Sequence, residues 1–173
     1  MSFNLKTYLE DCATKLKAIG HTPQNKRFFV VSSISTLEGL LGSIGRGGFP
    51  SIVSHDAADG TDGDTSNSEN FIDRPDYTFY VIDQVTKLND TDAMELAKRT
   101  TKELGFKIVA RMLRHRKQAT RTGADPYGLM LFNKASISYQ AIGPIGNGCF
   151  GTMFFINIPQ PVSLVYNDDD WSE

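Results

Sequence analysis

The sequence predicts an α+β fold: a single mixed, mostly antiparallel sheet flanked by two main helices, with a C-terminal β-hairpin. Three observations carry that expectation. Apolar residues recur at helical spacing in two separate stretches, 5–19 and 92–118. Runs rich in aromatic and β-branched residues occupy 27–33 and 76–88. The last two apolar runs, 135–141 and 150–158, are joined by a glycine-rich turn and pair as neighbours.

Each element follows in order. Leu5, Leu9, Cys12, Leu16 and Ile19 line one face of the first helix, Gly20 caps it, and Pro23 prevents resumption. A strand over 27–33 comes next. Ser35 with Glu38 three residues on forms a capping-box pattern, with Leu37, Leu40, Leu41 and Ile44 behind it. The short helix they define ends in glycines 42, 45, 47 and 48, and 49–54 reads as a short strand. Residues 55–70 are too polar to bury apolar surface and are expected to form a mobile loop.

The strand over 76–88 leads to the second main helix, opened by Asp92 and Glu95. Leu104, Ile108 and Met112 form its clearest stripe, and Gly105 weakens it by about 1 kcal/mol relative to Ala. Residues 135–141 alternate as a half-buried strand, 143–148 make the turn, and Pro159 and Pro161 end the final strand. The whole of 1–173 reads as one domain, with 167–173 an exposed acidic tail.

With 173 residues, 40% of them hydrophobic, the chain can bury a core without disulfides or metal. A formal charge of −2 gives no global attraction to nucleic acid or anionic membrane. Cys12 and Cys149 have neither framework nor zinc spacing and read as reduced cytosolic thiols. The first residues lack a signal-peptide apolar run, and no stretch approaches the roughly 18 apolar residues of a membrane span.

The motifs point away from catalysis. Residues 146–151 match G-x-G-x-x-G, but a strand follows rather than a helix, so the run is a turn. The glycines of 42–48 lack the Gly-Lys-Ser/Thr of a phosphate loop. Asp56, Asp59, Asp62 and Asp64 fail the calcium-loop spacing: counting from Asp59, Thr61 is third and Gly63 fifth. His21, His55 and His115 have no triad or metal partner at readable spacing. The expectation is therefore a protein that is not an enzyme and has no cofactor. A loop-built enzyme site and a nucleic-acid-binding module are the competing classes. Arg111, Arg114, Arg116, Lys117 and Arg121 cluster at the end of the long helix as a candidate interaction surface. Such cations suit a helix C-terminus, a phosphate backbone or an acidic partner.

The stretch 76–158 combines a strand (Tyr77 to Ile82), a long helix, and a hairpin. The hairpin turns through Gly143-Pro-Ile-Gly-Asn-Gly148 and re-enters as Cys149-Phe-Gly-Thr-Met-Phe-Phe-Ile156. This pattern resembles tail-terminator, tail-completion or neck-type proteins of tailed phages and prophages. The resemblance implies a structural virion protein made in the bacterial host cytoplasm. It would form a ring, with a hexamer as the leading stoichiometry, that stops tail-tube growth or joins tail to head. Its partners would be itself and tail-tube and neck or connector proteins, with indirect contact to DNA in a channel and no membrane. On that view Asp56, Asp59, Asp62 and Asp64 form a channel loop that repels phosphates.

Overall fold

The computed structural model describes residues 2–56, 59–62 and 70–163. Helix α1 (Leu5–Lys15) starts where the Asn4 side chain accepts a hydrogen bond from Thr7 N–H at 2.9 Å. It stops short of Ile19. The chain instead turns through Gly20, whose φ of +63° favours glycine, and still buries Ile19. Strand β1 (Phe28–Val31) leads into α2 (Ile34–Ser43). The capping box sits two residues before the predicted one. Ser33 is extended, and Thr36 N–H donates to Ser33 Oγ (3.2 Å) while Ser33 N–H donates to Thr36 Oγ1 (2.9 Å).

Strand β2 (Ser51–His55) runs parallel to β1. The polar stretch expected to be a loop contains β3 (Asp59–Asp62) and the start of β4 (Asn70–Gln84). Backbone pairing drives this: β3 lies antiparallel to 73–76 of β4, so main-chain hydrogen bonds order a segment with little apolar surface. Helix α3 (Thr91–Thr122) has 32 residues and is about 48 Å long. It runs past the predicted end to Gly123, which caps it at φ +73°. Strands β5 (Ser138–Ile145) and β6 (Cys149–Asn157) form the hairpin. Cys149, predicted within the turn, is the first residue of β6 and is buried. Pro159 ends β6 as expected, but Pro161 lies within β7 (Gln160–Ser163), opposite Ile72 of β4. Proline is tolerated there because β7 lies at an edge.

The main sheet runs β1-β2-β4-β6-β5, all antiparallel except β1 with β2, and β3 and β7 flank the first half of β4. The α+β architecture with its terminal hairpin agrees with the sequence reading. The layering is richer. Alternation along the strands sends Ile52, Phe79, Val81, Phe154 and Ile156 to one face, where α1 and α3 cover them together. Val53, Tyr80 and Ile82 face the other way, where Leu37 and Leu41 of α2 cover them. The two main helices thus cover one face of the sheet together, and the short helix closes the other.

Gly105 explains how α3 sits so close. A Cβ there would lie 2.0 Å from Cε2 of Phe154. The glycine that weakens the helix in isolation is the one that admits the fully buried Phe154 ring.

Candidate assembly surface

The basic cluster does not act as one patch. Arg111 turns toward α1, where it pairs with Asp11, donates to Cys12 Sγ at 3.2 Å, and lies 5.6 Å from the Tyr8 ring centre. Lys15 reaches the other oxygen of Asp11 at 2.7 Å. Burial alone would raise the Asp11 carboxyl, but these two cations outweigh it and hold it below the usual carboxylate value. Arg116 lies two residues from Arg114, about 200° round the helix, and is half-buried. That leaves Arg114, Lys117 and Arg121, which follow helical spacing on one face and are all exposed. None of the three is ion-paired among the described residues.

His115 belongs to packing. Its ring stacks on Tyr127 (4.5 Å between centres, 11° between planes), and its Nδ1 lies 3.0 Å from Tyr8 Oη. Burial, then Arg111 and Arg114, push the imidazole below its ordinary value. Burial pushes the Tyr8 phenol up. Both shifts favour the neutral forms, so a neutral phenol and a neutral imidazole share this hydrogen bond. This Tyr8–Asp11–Cys12–Arg111–His115–Tyr127 group ties α1, α3 and the segment after α3 together. The sequence reading missed it because its α1 and α3 partners stand 99 to 107 residues apart. Burial also raises both thiols, Cys149 to about 11, which removes them as nucleophiles. Among the described residues, no three His, Cys, Asp or Glu side chains converge as a metal site would need.

The acidic candidates separate as well. Asp56 is exposed just beyond β2. Asp59 and Asp62 lie in β3, at register positions opposite Asp76 and Asp73 of β4. Asp64 lies outside the described residues. Acids therefore recur at register positions on both strands of the β3–β4 pair.

The sheet itself supplies the remaining surface. Among the described residues, β1 and β5 each pair on one side only. β5, predicted half-buried, is mostly exposed because it is the outermost strand. It carries Tyr139, 46% exposed, beside Phe106 of α3, with Lys102 Nζ 4.7 Å over the Tyr139 ring. Pro144 and a register shift between Ile142 and Ile145 interrupt the strand itself. β1 has neither device: Phe28 to Val31 runs without proline or bulge. No protein-family model matches the chain, and no curated protein matches it.

Proposed function

We propose that this chain is a structural virion assembly subunit that forms a ring, terminating a phage tail tube or joining tail to head. The observation that carries the reading is that, among the described residues, the sheet is left open at both ends of its main order, at β1 and β5. Two different edges on one subunit suit head-to-tail contacts, which close into a ring where the rotation between neighbours permits it and run on as a filament where it does not. The hairpin of β5 and β6, on which the resemblance to tail-terminator and neck proteins rests, supports it. The acids of β3 and β4 would face the channel, with DNA as an indirect contact. The test is the mass of the full chain by light scattering after size exclusion, with negative-stain imaging, alone and mixed with assembling tail-tube subunits. Discrete rings and capped tubes of limited length are expected. A monomer at every concentration, with tube length unaffected, overturns the reading.

One observation favours a second reading, nucleic-acid binding through the exposed stripe of Arg114, Lys117 and Arg121. It requires binding that weakens steeply with salt. Filter binding of duplex DNA across a salt series decides it.

A further inference from the structure

The outer edge of β1 has a chemistry that identifies its occupant. Ile52 N–H donates to Arg27 O at 2.9 Å, and Asp56 N–H donates to Val31 O at 2.8 Å. Residues 27, 29 and 31 therefore turn their backbone groups toward β2. By alternation, Phe28 and Val30 turn theirs outward. Among the described residues those outward groups have no hydrogen-bond partner. A groove of about 570 Å3 runs along them, walled by α1 on one side and α2 on the other. Leu40 and Phe29 give it apolar contact, Lys6 and Lys26 give it positive charge, and Glu10 is its one acid among the described residues. Lys26 lies 5.4 Å over the Phe29 ring, so charge and apolar surface are adjacent. His21 accepts Arg27 N–H at Nδ1 (3.0 Å), which leaves its other nitrogen free to donate into the groove.

We propose that the β1 edge takes residues 164–173 of a second copy of this chain as an added strand. That segment reads Leu-Val-Tyr-Asn-Asp-Asp-Asp-Trp-Ser-Glu: β-favouring residues, then four acids with no cation. Apolar contact beside lysines meets apolar residues beside aspartates, and the ladder supplies the main-chain hydrogen bonds of β-augmentation. Geometry selects a second copy. Ser163 lies opposite Asn70, whereas Val30 lies level with Ser54 and so with Phe79. Nine residues along β4 and three strand spacings across separate them, about 33 Å in all. Ten extended residues span at most about 33–36 Å. Residues 164–173 of the same chain would spend their whole length on the journey, with none left to pair.

The inference rests on the assembly reading for the second copy, and a charge swap in the full chain tests it. One variant carries Lys6→Glu and Lys26→Glu, and the other Asp168→Lys, Asp169→Lys and Asp170→Lys. Each alone is expected to stay monomeric with an unchanged thermal midpoint, and the two mixed are expected to reassemble. A labelled peptide of residues 164–173 should bind the Asp168→Lys, Asp169→Lys, Asp170→Lys chain, and bind the Lys6→Glu, Lys26→Glu chain about tenfold more weakly. Rings from either variant alone would overturn the groove while leaving the ring reading intact. A monomeric parent chain that still binds the peptide with the expected lysine dependence would sink the ring and sustain the groove. Equal peptide affinity for both variants overturns the proposal outright.

Discussion

Replacing Gly105 with alanine separates helix propensity from packing. In an exposed helix the change stabilises by about 1 kcal/mol, because glycine loses more backbone freedom on folding. Here the added methyl would lie 2.0 and 2.2 Å from Cε2 and Cζ of Phe154. The ring cannot retreat: it stacks on Phe79 at 5.0 Å and meets Phe106 edge-on at 5.6 Å. Overpacking of this kind costs about 1–3 kcal/mol, and so close an approach belongs at the upper end. The net expectation is a loss of about 2 kcal/mol, or about 4–8 °C in thermal midpoint for a chain of this size. Urea unfolding followed by circular dichroism measures it. In a Phe154→Leu background most of the penalty should vanish, as a double-mutant cycle would report. A Gly105→Ala chain as stable as the parent would refute the reasoning, because α3 would then have to stand further from the sheet.

Arg111→Ala should cost about 1 kcal/mol in urea unfolding, since it removes a partly exposed ion pair and a contact over Tyr8. Asp11 is held below its ordinary value of 3.8, so its contribution is complete above that value and is lost as pH falls through the native one. Asp11→Asn should flatten the acid limb of the stability profile. His115 is held below 6.5, so the unfolded chain binds the extra proton and stability falls as pH drops from that value through the native one; His115→Gln should remove that slope in thermal melts between those limits. Neither thiol should react with a disulfide reagent near pH 8 until the chain is unfolded, because both are buried and raised; rapid labelling of the native protein would contradict the burial of Cys12 and Cys149.

What could be read in the sequence was local. The stripe Leu104–Ile108–Met112 and the alternation through Tyr77 to Ile82 each carry their own period, and the glycines at 146 and 148 take the positive φ their turn requires. What could not be read depended on distant partners. β3 and β7 exist because β4 extends between them, and a polar run such as 59–62 has no period that announces a strand. The placement of α2 opposite α1 and α3 follows from which strand face each helix covers, and a single apolar stripe does not state that. The basic cluster was legible as a cluster, but only the fold shows that Arg111 is committed to Asp11 while Arg114, Lys117 and Arg121 remain exposed. The β1 groove was invisible, because an edge is a property of strand order.

That order has a rotational consequence. Four strand-to-strand steps separate β1 from β5, and each turns the next strand by about 20–25°, so the two borders of the sheet stand about 80–100° apart in direction. Subunits welded border to border would add a fifth step at the joint and advance by about 100–125° each time, tracing a screw instead of a flat circle. A joint made by a threaded peptide carries no such torque, because single bonds between the strand and its parent body absorb the rotation. Planarity of any closed assembly would then be set by the swivel between bodies, and the pitch of the sheet would drop out of the geometry.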